Sequence, residues 1–211
     1  TADSGALPVM FQDLEERPVP RRRVVSWAMW DWATQPFNSV ILTFVFVSLY
    51  LVSDTFLPAD IAALADDDPL KERALADLSS GYGLVSTLAG LAILLLAPIL
   101  GQVADRKGRK KRWLLIATAI LALLQFGLFF VFADPSYFWI GAVLVALGAV
   151  ASEIAGVNYN ALLVSVATPR TIGKVSGLGW GLGYIGGILA LVAVVVRSEE
   201  HTSELQSHVN L

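Results

Sequence analysis

The residues best suited to chemistry in this sequence are polar side chains that interrupt long apolar segments. Glu153 lies near the middle of one such segment, where an ionised carboxylate is costly unless it meets water or a partner. Gly156 and Asn160 share its face at helical spacing and leave room for a ligand or water. The pattern predicts a polar cavity in which Glu153 binds a cationic substrate group or carries a coupling proton. The alternative is a neutral structural carboxyl that locks two helices together.

A second polar series lies at the start of the first apolar segment. Asp31 and Gln35 are four residues apart and Asn38 follows three residues later, so the three share one helix face. Such groups inside a membrane segment face the interior of a helix bundle or a cavity. We therefore assign Asp31, Gln35, Asn38, Glu153 and Asn160 to a predicted substrate or ion pathway. For Asp31 the alternative is a position at the membrane interface beside its neighbouring tryptophans.

The residue types that most catalytic and metal-binding chemistry needs are missing from the body of the chain. There is no cysteine, and both histidines, His201 and His208, lie close to the end of the sequence. This excludes Ser-His-Asp triads, Cys-His dyads and common zinc sites from the preceding residues. The acidic run at 66–68 lacks EF-hand spacing and is interpreted as a solvated loop. We assign no catalytic residue, no cofactor and no metal site, and we expect no nucleic-acid partner.

The polar residues are carried by long apolar blocks. Hydrophobic residues make up 55% of the 211 positions and charged residues 16%, whereas a typical soluble domain is about a quarter charged. The chain holds five blocks, each long enough to cross a hydrocarbon core of about 30 Å as a helix. We therefore predict an all-α polytopic membrane protein. The predicted parts are a tail at 1–23, a bundle at 24–196 with spans at 27–52, 82–103, 113–132, 137–166 and 175–196, and a second tail at 197–211.

Lysines and arginines are unequally divided between the connecting segments. Twelve of them lie in the amino-terminal tail and in the second-to-third and fourth-to-fifth connections, whereas the opposite connections hold only Lys71 and Arg73. Short loops rich in lysine and arginine stay on the cytoplasmic side of a membrane. The bias predicts a cytoplasmic amino terminus and a multi-pass protein of the inner, or plasma, membrane.

The connection between the second and third spans is the most specific feature of the sequence, and it reads GQVADRKGRKKR. Gly101 and Gly108 permit close packing and unusual backbone angles. Asp105 can pair with Arg106 or Arg109 through charge-assisted hydrogen bonds. A basic cytoplasmic loop would account for the lysines, but not for the ordered spacing of glycines, aspartate and arginines.

This ordered spacing resembles the signature loop of the major facilitator superfamily, with Val103 where leucine is more usual. The stretches at 26–41, 158–168 and 172–187 look like the branch that includes the fungal autophagy-linked vacuolar amino-acid effluxers and their bacterial permease relatives. The resemblance covers nearly everything from 26 to 196. It implies a twelve-helix protein or a close variant, of which five helices are present here.

The resemblance also implies a function, namely secondary transport by alternating access, with amino-acid or small-metabolite export as the activity. Gly101, Asp105, Arg106, Gly108 and Arg109 would then form a cytoplasmic gating loop. The implied partners are a small-molecule substrate, the lipid bilayer and a missing carboxy-terminal half of the same protein. The alternative function is a non-transporting membrane scaffold or assembly subunit, and a membrane-embedded enzyme ranks third.

The last part of the chain carries two further patterns. Six of the seven glycines between 173 and 187 form two rows with a spacing of four, namely 173, 177 and 181, and 179, 183 and 187, which predicts close helix packing on two faces. The glycines at 181, 183 and 186 also match a dinucleotide fingerprint, but that motif needs a preceding strand. The polar segment RSEEHTSELQSH at 197–208 resembles the translation of a sequencing-library adapter and is expected to be non-native. A short natural tail is the alternative.

Reporter fusions test the predicted topology. Fusions after residues 78 and 134 are expected to report the extracytoplasmic side, because the connections there are poor in lysine and arginine. Alkaline phosphatase and green fluorescent protein fusions measure the two sides independently, and a fusion after residue 170 serves as the cytoplasmic control. Cytoplasmic activity after residue 78 or 134 would overturn the orientation.

Overall fold

The computed structural model describes residues 19–106 and 108–209, and for residues 105, 106 and 199–209 it describes the backbone alone. Within those ranges it contains five long helices and no strand. We label the helices α1 (Arg21–Pro36), α2 (Pro69–Arg106), α3 (Lys110–Leu128), α4 (Phe138–Ala161) and α5 (Ile172–Val209). All five, α1 taken with its continuation to Leu51, are long and apolar enough to cross a membrane. The predicted all-α fold with five spans is therefore confirmed.

The first span changes its winding at a proline. Pro36 ends α1 and has no N–H to donate, and the chain continues as a wider π-helix over Phe37–Phe44 and Phe46–Leu51. Hydrogen bonds that reach back five residues close these turns. The span predicted at 27–52 thus contains two kinds of helix, and it begins earlier, at Arg21.

Two helices extend beyond their predicted spans, because an apolar block marks only the part of a helix that contacts lipid. α2 begins at Pro69 rather than at 82, since proline suits the first helical turn and Asp68 accepts a 2.8 Å hydrogen bond from the Leu70 N–H. α5 continues to Val209, through the segment expected to be non-native. α3 and α4 end a few residues from their predicted bounds, and a short helix, Leu163–Val166, follows α4.

The five helices form two packing groups. α1 packs on α5, and α4 packs on both α2 and α3. The backbones of α1 and α4 approach each other at few points, so these groups meet mainly through side chains. We call the boundary between them the seam. We call the bundle end that carries Arg21, Lys110 and Arg170 the basic end, and the end that carries Asp54 and Asp134 the acidic end.

Two glycines let α4 accept side chains from the π-helical part of the first span. A Cβ on Gly148 would lie 2.7 Å from the ring of Phe37, and a Cβ on Gly141 would lie 2.9 Å from the side chain of Leu51. Phe37 and Leu51 are almost completely buried as a result. These contacts hold the acidic-end half of the first span on α4 across the seam.

One face of α5 consists of glycines that contact α1, and we call it the glycine face. A Cβ on Gly183 would lie 2.5 Å from Oδ2 of Asp31, and a Cβ on Gly186 would overlap the carbonyl oxygen of Trp32. The other contacts of this face are those of Gly179 with Trp27 and Tyr159, and of Gly187 with Gln35 and Ser39. A Cβ at any position of the second predicted row, 173, 177 and 181, would meet no described atom within 4 Å. Of the two predicted packing faces, the glycine face therefore contacts described residues of other helices, and the second row contacts none of them.

A lysine ties together the connection between the first and second spans. Lys71 is only 4% exposed, and its Nζ lies 2.7 Å from carboxylate oxygens of both Asp54 and Asp66. The same Nζ donates to the Leu64 carbonyl at 3.3 Å. The hydrogen bond from Lys71, and then its charge, lower the pKa of the Asp66 carboxyl. The acidic run at 66–68 thus supplies an ion pair and a helix cap.

Alanine substitutions on α5 measure the close approach of α5 to α1. Gly186→Ala is expected to destabilise the protein by about 1–3 kcal/mol, because the new methyl group must displace the α1 backbone. Gly177→Ala is the control on the same helix and should be neutral or stabilising by up to about 1 kcal/mol, since it meets open space and removes a flexible glycine. Thermal or denaturant unfolding in detergent measures both. Equal effects of the two changes would contradict the observed packing.

Asp66→Asn tests the ion pair at the acidic end and is expected to lower the unfolding midpoint at neutral pH. Because folding lowers the pKa of Asp66, its contribution is present above the ordinary carboxyl value of about 4 and is lost as the pH falls through the lowered value. The difference from the unchanged protein should therefore vanish in acid. Asp67→Asn is the matched control, since no described ion pair involves Asp67. A difference that is independent of pH would contradict the ion-pair explanation.

Candidate functional site

A polar cavity of about 310 Å³ lies at the seam between the first span, α4 and α5, and we call it the central cavity. The first span and α4 contribute five lining residues each, and α5 contributes two. The lining residues are Trp30, Asp31, Thr34, Gln35, Asn38, Ser152, Glu153, Gly156, Tyr159, Asn160, Trp180 and Tyr184.

Every residue assigned to the predicted pathway lines this cavity, namely Asp31, Gln35, Asn38, Glu153 and Asn160. Helical spacing places the first three on one face of the first span and the other two on one face of α4. The sequence placed the two series on separate helices, and the fold brings them to a common space. Their role in moving a substrate or ion stays a prediction.

Two aromatic residues of α5 complete the wall and were missed by the sequence analysis. Trp180 and Tyr184 are four residues apart, and their ring centroids lie 6.1 Å from each other. They reach the cavity because the glycine face brings α5 close to α1. Their spacing was the available signal, but periodicity alone does not distinguish a ring that faces a cavity from one that faces lipid. Trp30, Thr34 and Ser152 were also missed, because periodicity alone does not show which helix faces border a cavity.

The charges of the central cavity are negative. Asp31 and Glu153 are acidic, and the described residues that line the cavity include no lysine, arginine or histidine. Asp31 is half-buried and lies against Gly183, whereas Glu153 is exposed to the open space. Charges interact more strongly where protein and lipid exclude water. The described part of the cavity wall therefore presents a better environment to a cation than to an anion.

A larger cavity of about 750 Å³ opens at the basic end, and we call it the vestibule. Trp30 and Tyr159 line both the vestibule and the central cavity, so the two spaces adjoin at these rings. The vestibule has the opposite charge, because two arginines of α1 and two lysines of α3 line it. These residues are Arg22, Arg23, Lys110 and Lys111.

Three stacked rings, which we call the aromatic partition, separate the two cavities. Tyr159 lies between Trp27 and Trp30, with ring centroids 4.3 and 4.5 Å away and interplanar angles of 4° and 28°. The indole of Trp27 donates to the Tyr159 carbonyl at 3.0 Å, and that of Trp30 donates to Oγ1 of Thr118 at 2.9 Å. The partition therefore joins α1 to α4 and α3 across the seam.

The hydroxyl of Tyr159 lacks a hydrogen-bond partner among the described residues. Tyr159 is 4% exposed, and its hydroxyl oxygen lies against Gly179. The neighbouring Asn158 is also buried, and its amide donates to the Ile154 carbonyl at 2.9 Å. A buried polar atom without a partner is costly. The Tyr159 hydroxyl is therefore an enclosed polar group without a protein partner among the described residues, in a side chain that also lines the central cavity.

The predicted gating loop is described in part. Gly108 has φ +60°, a left-handed conformation that glycine adopts readily. Gly101 lies close to α4, and the N–H of the exposed Arg109 donates back to the last turn of α2 at 3.1 Å. Asp105 and Arg106 end α2, and their side chains lie outside the described part of the structure. Their pairing stays a prediction.

Five membrane-length helices, three of which line a polar cavity, define a multi-pass membrane protein. The chain belongs to the Major Facilitator Superfamily, because the model of that family matches residues 11–191. The predicted resemblance of the chain to the major facilitator superfamily is thereby confirmed.

Two curated proteins are similar to this chain. It is 30% identical over 188 residues to an "Uncharacterized MFS-type transporter YxiO" of Bacillus subtilis (strain 168). The aligned region covers 84% of this chain and 38% of that protein. It is 27% identical over 150 residues to an "Uncharacterized protein" of Aquifex aeolicus (strain VF5). Here the aligned region covers 71% of this chain and 35% of that protein. The chain thus spans well under half the length of the curated relatives it matches. No solved structure matches it.

Proposed function

We propose that this chain forms part of a secondary transporter that moves a small solute by alternating access. The observation that carries the proposal is the convergence of Asp31, Gln35, Asn38, Glu153 and Asn160 on one cavity between helices. Secondary transporters bind their substrates near the middle of the membrane, between two sets of helices. Polar and charged residues inside membrane segments mark such pathways.

The division of the helices into two groups supports the proposal. The central cavity lies at the seam, where the groups meet through side chains rather than through close backbones. The vestibule leads from the basic end to the aromatic partition, which closes the cavity on that side. Displacement of these rings would open the cavity towards the vestibule.

The finer parts of the proposal rest on the sequence. The solute is an amino acid or a small metabolite that is exported across the plasma membrane, and the basic end lies in the cytoplasm. Helices of the complete protein that are absent from this chain supply the opposite wall of the cavity. Gly101, Asp105, Arg106, Gly108 and Arg109 form the gating loop beside the vestibule.

Glu153→Gln in the complete protein tests whether the cavity carboxylate is used in transport. The change keeps size and hydrogen bonding but removes the charge, so insertion and stability should be unchanged while the transport rate falls by about tenfold or more. Uptake of a panel of labelled metabolites into proteoliposomes, measured at several pH values, gives the rate. Asp77→Asn, an exposed carboxylate outside the cavity, is the matched control and should transport normally.

Glu153→Leu separates a functional carboxylate from one that locks helices. A structural, neutral Glu153 would make Glu153→Gln silent and Glu153→Leu poorly folded. If Glu153→Gln kept the normal rate and pH profile, the cavity role of Glu153 would be eliminated.

A further inference from the structure

We propose that the central cavity recognises an organic ammonium group, so that the transported solute carries a positively charged amine. The inference rests on the proposed function, because it names the class of solute that the same cavity selects. It is carried by three features of the wall, namely its charge, its aromatic rings and an unpartnered buried hydroxyl.

The charge of the described part of the wall disfavours anions. Asp31 on α1 and Glu153 on α4 reach the cavity from different packing groups, and the described lining residues include no basic side chain. An anionic solute would face two like charges across a space of about 310 Å³. A cation placed between Asp31 and Glu153 interacts favourably with both sides of the seam.

The rings favour an organic cation over a metal ion. Trp30, Trp180 and Tyr184 line the cavity together with the two carboxylates. Indole and phenol faces attract ammonium groups through their electron-rich surfaces, whereas hard metal ions take oxygen ligands in defined geometries. Trp180 and Tyr184 are both well exposed, so their faces are open to a ligand.

The third feature is the hydroxyl of Tyr159. It is unpartnered in a side chain that is 4% exposed, and it lies against Gly179. Asp31 lies against Gly183, one helical turn further along the same glycine face. A hydroxyl oxygen can accept a hydrogen bond from an ammonium N–H while the neighbouring carboxylate supplies charge. The glycine face thus brings one acceptor and one counter-charge to the same side of the cavity.

Binding of matched small molecules to the complete protein in nanodiscs tests the proposal. The probes are butylammonium with its uncharged counterpart pentanol and its anionic counterpart pentanoate, and choline with its uncharged carbon analogue dimethylbutanol. Tryptophan fluorescence titration and calorimetry measure the dissociation constants. At least one ammonium probe should bind about tenfold or more tightly than its uncharged counterpart, and pentanoate should bind weakest.

Variants locate the binding in the cavity. Asp31→Asn and Trp180→Leu should each weaken binding of the ammonium probe by about tenfold, and Trp180→Phe, which keeps a ring, should weaken it less. Asp77→Asn and Trp139→Leu are the matched controls for charge and for ring, since neither residue lines the cavity. Unfolding midpoints of all variants exclude global destabilisation as the cause.

The outcomes separate this proposal from the proposed function. Uptake of an anionic or uncharged solute that depends on Glu153 would support transport and overturn ammonium selectivity. Ammonium binding that depends on Asp31 and Trp180, without transport of any solute, would support the recognition site and overturn the transport proposal. If no ammonium probe binds more tightly than its uncharged counterpart, the inference is overturned.

Discussion

The close approach of α5 to α1 is the contact on which the rest of the architecture depends. It is possible because Gly183 and Gly186 present no side chain where Asp31 and the Trp32 backbone lie. In a membrane the hydrophobic effect does not drive helices together, so close packing through small residues takes its place. The approach seats the Asp31 carboxylate and brings the rings of Trp180 and Tyr184 to the central cavity. A larger side chain on the glycine face would separate these groups.

α4 has the complementary role on the other side of the seam. It packs against α2 and α3 along its length and also accepts Phe37 and Leu51 at two of its glycines. It is the most buried of the five membrane helices. Because α4 is held on several sides, Glu153 and Tyr159 have fixed positions against which the α1–α5 pair is placed. The cavity is thus the space left between a helix pair and a firmly supported neighbour.

The sequence was sufficient for the spans and for the polar faces, because both depend on local periodicity. Glu153 and Asp31 could each be placed on a helix face, but which faces meet depends on contacts between distant helices. The start of α2 at Pro69 was missed since its first turns are polar and carry no membrane signal. The π-helical winding after Pro36 leaves the same apolar residues in the same order, so composition does not reveal it. The partners of Lys71 depend on the path of a loop, which no periodicity encodes.

The aromatic partition has a mechanical consequence for the seam. The contacts described there, namely the stacks of Trp27, Tyr159 and Trp30 and the indole hydrogen bonds, are between uncharged groups. Dispersion contacts lose roughly a quarter to a half of their strength within about an ångström of separation, and neutral hydrogen bonds weaken steeply as their geometry worsens. Attraction between charges decays slowly with distance. The restraint that the partition places on the seam is therefore short-ranged. The stacked rings resist small displacements strongly and offer little resistance once they have separated. Because no charged group takes part in these contacts, this behaviour is almost independent of the salt concentration on either side of the membrane.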